Sequence, residues 1–119
     1  MDYGYAMRLF VLGTVLLLAC SSALAHKPTP SECLEAGDFI RNAARARESG
    51  ATRQFFLDRL HEDYVMIRAF RPELRWFVMD ADDEEFLQAE VELVFDAPLV
   101  GEQHRTDFLE RCALRPAGL

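Results

Sequence analysis

Three cysteines, Cys20, Cys33 and Cys112, hold most of the reactive chemistry this chain can offer. Cys33 and Cys112 stand near the two ends of the segment that comes after an apolar leader. Thiols in an oxidising compartment pair, and an even count predicts a disulfide. There is no C-x-x-C and no nearby His-Cys cluster, which leaves redox catalysis and metal binding without a motif. One long-range Cys33–Cys112 bond is therefore expected. In the chain-entropy picture a loop of this length contributes about 4 kcal/mol. Cys20 offers different chemistry. Leu17-Leu18-Ala19-Cys20 resembles a bacterial lipobox, and Ser21-Ser22 suits the positions just after its cysteine. On that alternative Cys20 becomes the lipidated first residue, and the chain is anchored to a membrane.

The other chemistry-bearing clusters are weaker. Asp80, Asp82 and Glu84 match the first three alternating ligand positions of a calcium loop. The next requirement, glycine, meets Glu85, and the final bidentate glutamate position meets Val91. The run Asp80–Glu85 reads instead as the solvated start of a helix. His26 would head the chain after cleavage behind Ala25. An N-terminal histidine can chelate copper, as in the histidine brace of lytic polysaccharide monooxygenases, which the chain resembles in nothing else. His61 and His104 fall on different predicted helices. Arg41, Arg45, Arg47 and Arg53 form a basic series, but Asp38 and Glu48 interleave at helical spacing and predict a salt-bridged face. Trp76-Phe77 is the densest aromatic site and reads as core before it reads as a partner anchor. No G-x-S-x-G, Gly-rich phosphate loop or H-E-x-x-H is present. No enzyme activity, cofactor or metal is expected.

The leader sets the compartment. Leu9–Ala19 is an apolar run behind Arg8, with the small-x-small pattern Ala23-Leu24-Ala25 beyond it. It is shorter than the ~20 residues a membrane span needs and reads as a signal-peptide core. Met7-Arg8 makes a more typical signal start than Met1. Residues 1–25 are thus expected to be a signal peptide, 26–114 a single domain and 115–119 a frayed tail. The location is periplasmic or secreted, or lipid-anchored in the envelope if Cys20 is acylated.

Composition narrows the partners. About 94 residues remain after the leader, enough for one small domain that gains from a crosslink. Residues 26–79 carry 9 bases and 8 acids, whereas residues 80–119 carry 3 bases and 11 acids. This balance argues against nucleic acid, whose binding rests on neutralising phosphates, and against an anionic membrane surface. Every base after the leader except Lys27 is arginine, which fits a GC-rich bacterial genome.

Caps and periodicity define the elements. Thr29-Pro30-Ser31-Glu32 has the form of a capped helix start. Cys33, Ala36, Gly37, Ile40, Ala43, Ala44 and Arg47 then fall on one face, and Gly50 suits the C-terminal cap. Thr52 caps a second helix with the stripe Phe56, Leu57, Leu60, Tyr64 and Ile67, running to about Ala69. Pro72–Met79 is expected as a short helical turn. Asp82 and Glu85 have capping-box spacing for a third helix, with Phe86, Leu87, Val91, Leu93, Val94 and Phe95 making it the most buried one. Val91–Phe95 also suits a strand, but no partner strand is offered. Pro98 ends the element. Gly101-Glu102 opens a last helix with His104, Phe108, Leu109 and Cys112 on one face. The fold class is all-α: a small four-helix bundle closed by a disulfide between first and last helices.

The arrangement of leader, Cys33, R-x-R-E-S-G (residues 45–50) and F-L-E-R-C (residues 108–112) resembles small uncharacterised exported helical proteins of proteobacteria. That resemblance implies export and one cysteine pair and carries no activity with it. The functional expectation is a non-enzymatic periplasmic helical protein acting on an unidentified protein partner. Two alternatives stand beside it. One is a chaperone similar to the acid-stress periplasmic chaperones, which are small, helical and held by one disulfide. The other is a secretin-pilotin-like lipoprotein, which requires a lipidated Cys20.

Overall fold

The structure is a computed structural model and describes residues 26–115. The leader, its cleavage pattern and Cys20 lie outside the described residues. Four α-helices make up the domain: α1 (Pro30–Glu48), α2 (Arg53–Arg68), α3 (Ala81–Asp96) and α4 (Gly101–Ala113). A single 3-10 turn, Pro72–Leu74, lies between α2 and α3. Among the described residues there is no strand, and no helix is long and apolar enough to cross a membrane.

Helix α1 forms as its sequence dictates. The Thr29 side chain accepts from the Glu32 amide, and Glu32 accepts from the Thr29 amide, so two otherwise unpaired donors are satisfied together. Its buried face is Cys33, Ala36, Gly37, Ile40, Ala43 and Ala44. These small residues let α4 approach closely. A Cβ added at Gly37 would lie 3.1 Å from Leu109 Cδ2, and one at Gly101 3.2 Å from Arg41 Cγ. The chain leaves α1 through Gly50 at φ 101°, a conformation that side-chain-bearing residues rarely adopt.

Helix α1 lies along α4 and also touches α3, while α2 packs on α3. The Sγ atoms of Cys33 and Cys112 stand 2.02 Å apart, with Cα atoms at 5.9 Å, the spacing of a disulfide. Leu57, Leu60 and Tyr64 are the buried residues of α2, with Phe56 and Ile67 packed beside them. A train of aromatic rings crosses the interior. Phe95 meets Phe56, then Phe39, Trp76, Phe77 and Phe108, with successive centroids 5.6–6.2 Å apart.

Three details depart from expectation. Helix α3 is capped by Asp80, which accepts from the Asp83 amide, and not by an Asp82–Glu85 box. Asp80 is extended at φ −144°, so the helix opens two residues earlier. The expected helical turn over 72–79 stops at Leu74. Arg75 turns extended, and its guanidinium donates to the carbonyls of Arg68, Phe70 and Met79. The extended path lets both Phe77 and Val78 enter the core. Helix α3 is not distinctively the most buried: five of its residues are buried against six in α1, and Leu93 is exposed. Its Val91–Phe95 stretch is helical.

Arg47 fastens the end of α3. Its Nη1 donates to the carbonyls of Val94 and Ala97, and its Nη2 to that of Leu99 at 2.7 Å. These carbonyls have no helical donor of their own, and a cation here also suits the negative end of the helix. Arg47→Ala should destabilise the domain by about 2 kcal/mol, since three charge-assisted bonds are lost at a partly buried site. Arg47→Lys should restore only a minor part, because an ammonium cannot span the three acceptors as a planar fork does. Urea denaturation of the two variants checks this. Equal midpoints for wild type and Arg47→Ala would count against the staple.

Candidate functional site

Two features stand out from the packed core: an open apolar groove and a pair of buried carboxylates. The groove runs along α2 where it faces the second half of α1. It consists of two adjoining cavities of about 360 and 390 Å³ that share Phe39, Leu60 and Asp63. Phe55 and Phe56 line one end, and Met66, Phe70 and Trp76 the other. Phe55 is 58% exposed, Met66 62% and Phe70 47%. These side chains leave apolar surface open along one side of α2. The stripe from Phe55 to Phe70 spans about 20 Å at helical rise.

Polar groups are few along it. Asp63 lies between the two cavities, and Arg59 edges one of them. Tyr64 donates its hydroxyl to the Glu84 carbonyl at 3.1 Å. Burial, helped by the nearby charges of Glu84 and Asp63, pushes its phenol well above the usual range, so it stays protonated and serves as a donor. Nothing along the groove supplies a nucleophile beside a base. The lining suits apolar contact.

The acidic run behaves differently from its sequence reading. Asp82 and Glu85 are exposed, as a solvated helix start requires, but Asp83 is 0% exposed. Asp83 Oδ2 accepts from His26 Nδ1 at 2.8 Å and the Met79 amide at 2.9 Å, and Oδ1 accepts from Arg115 at 2.5 Å. Arg115, the first residue of the expected tail, also lies 4.7 Å from the Phe86 ring centroid. Two turns along α3, Glu90 is 5% exposed and takes both bonds of the Arg111 fork, at 2.7 and 2.6 Å. A signal for both was present. Asp83, Leu87, Glu90, Val91 and Val94 share one helical face, so two acids interrupt an apolar stripe and demand partners.

The remaining candidates are dispersed. His61 pairs with Gln88 at the surface, and buried His104 donates from Nε2 to the Ala97 carbonyl at 2.9 Å. Arg41 pairs with Asp38 and Glu102, Arg47 with Glu48, and Arg53 with Glu92 and Asp96; Arg45 is exposed. The basic series therefore spreads over ion pairs and forms no common patch. Phe77 is fully buried, while Trp76 is half-buried at the groove. Among the described residues no group of three His, Cys, Asp or Glu is placed to hold a metal ion. No protein-family model, curated protein or solved structure matches this chain.

Proposed function

We propose that this chain is an exported four-helix bundle, closed by the Cys33–Cys112 bond, that works by binding another protein and not by catalysis. The observation that carries this reading is the α2 groove, with Phe55, Met66 and Phe70 open to solvent. Its occupant is an amphipathic helix of the partner, laying apolar residues into the two successive cavities. The groove length of about 20 Å accommodates three to four helical turns.

Photo-crosslinking in the native host tests this. A crosslinker at Met66 is expected to give one discrete adduct. A crosslinker at Gln103, an exposed position on α4, is expected to give none. Phe70→Asp, at a position that is not part of the buried core, should leave the melting midpoint unchanged. It should reduce the Met66 adduct at least ten-fold, as loss of an aromatic anchor does. Equal adducts from Met66 and Gln103, or an adduct unaffected by Phe70→Asp, would reject the groove.

A second reading has one specific support. Two buried carboxylates of α3, Asp83 and Glu90, are paired with Arg115 and Arg111. Buried ion pairs of this kind are the contacts an acid-activated chaperone would give up. Hydrophobic dye binding and client protection should then rise together between neutral and acid pH. A flat response would leave partner binding as the reading. A lipidated Cys20 would favour the pilotin-like alternative.

A further inference from the structure

The first and last described residues meet on α3. The backbone nitrogen of His26 donates to Asp80 Oδ2 at 3.0 Å, and its ring Nδ1 lies 2.8 Å from Asp83 Oδ2. Nε2 of the same ring lies 3.4 Å from Glu32 Oε1. Arg115 approaches Asp83 from the other side. Pro28 is buried, so the lead into α1 is packed against the domain. Three nitrogens of His26 thus each face a carboxylate. Burial raises the Asp80 carboxyl. The amides of Asp83 and His26 and the charges of His26 and Arg115 outweigh it and hold the group below the usual range. A carboxylate that already caps a helix accepts a neutral N–H here, and at the same place it would bind an ammonium more strongly.

We propose that the Ala25–His26 bond is the processing site of this protein, and that the α-ammonium left on His26 is a structural ion of the folded domain, paired with Asp80. The step is a hydrolysis by a signal peptidase. Water adds across the Ala25–His26 amide, Ala25 departs with the leader as a carboxylate, and the His26 nitrogen takes up the proton. The observed N–H bond marks the position; cleavage converts it into a charge-assisted one. The proposal rests on the export reading, and its two tests separate the failure of each.

The first test compares chains beginning at His26 and at Ser22, each with Asp80 and with Asp80→Asn. Asparagine still caps a helix, so all four should fold. The chain with free His26 should melt about 4–8 °C above the Ser22 chain near pH 7. The gap should be full below about pH 8, the ordinary pKa of an α-amine, and should close as pH rises through the value its pairing with Asp80 raises it to. It should close again in acid as Asp80 is protonated, because a carboxyl held low contributes stability only above its folded pKa. Asp80→Asn should abolish the gap. Equal midpoints, or a gap indifferent to pH and to Asp80→Asn, would overturn the structural ion. The second test is the intact mass of the protein from its native host. A mass beginning at His26 is expected. One beginning at an acylated Cys20, or retaining the leader, would overturn the processing site.

Discussion

Removing the Cys33–Cys112 bond should lower the stability of the domain by about 4 kcal/mol. The sequence separation is 79 residues, so in the unfolded chain the crosslink holds together segments that would otherwise be far apart. Alanine is the replacement to use, since both cysteines are buried and serine would leave two hydroxyls in an apolar setting. Small domains have only about 5–15 kcal/mol of stability, so the variant should sit near the bottom of that range. Guanidinium denaturation of oxidised wild type against Cys33→Ala/Cys112→Ala reads the difference. A loss under about 1 kcal/mol would mean that the interface between α1 and α4 holds by packing alone. Mass analysis before and after reductant must accompany it, because two free thiols in native protein would reopen a redox role for Cys33 and Cys112.

Arg111→Ala should destabilise by about 3 kcal/mol, far more than an ordinary surface arginine would. Glu90 is 5% exposed, and the Arg111 fork supplies the bonds to both its oxygens. Removing one member of a buried pair leaves a charge without compensation, which commonly costs ~3–5 kcal/mol. The lower end applies here because the Arg111 side chain is 42% exposed and water reaches the pair. The mutual bond also raises the Arg111 guanidinium above its ordinary range, against the opposing effect of burial. Replacing both partners, Glu90→Leu with Arg111→Leu, should recover most of the loss, because the pair as a whole is no better than a packed apolar substitute. A double-mutant cycle in urea measures this. If Glu90→Leu alone were as harmful as Arg111→Ala, the carboxylate would be needed for something beyond its partner.

How much of this was legible depended on the range of the interaction. Thr29, Pro30 and Glu32 act within four residues, so the start of α1 could be read directly. The small-residue face from Cys33 to Ala44 reappears unchanged as the buried face. The cysteine pair was legible over a long range because its chemistry admits few partners. Asp83 was not, since its burial is decided by His26 and Arg115, 57 and 32 residues away. In a run of acids, each looks equally solvated. The cap at Asp80 was missed for a related reason: two registers of the same acidic run satisfy the capping pattern, and the burial of Phe77 and Val78 selects between them. The groove left a partial trace. Phe56, Leu60, Tyr64 and Ile67 belong to the predicted stripe of α2, yet Phe39, Phe55, Met66 and Phe70 become one surface only when the fold brings Phe39 of α1 and Trp76 beside α2.

The crosslink has a mechanical consequence. Cys33 lies in the first turns of α1, and Cys112 is the penultimate residue of α4. Tension applied at the two ends of the chain therefore runs through the sulfur bridge and bypasses nearly the whole domain. The span between the cysteines, 79 positions in sequence, cannot lengthen while the bridge stands. A motor that threads polypeptide through the domain would meet a closed ring at Cys33 or Cys112. It would then have to pass two strands at once or stop. Once oxidised, this domain is a poor substrate for any machine that must first pull it straight.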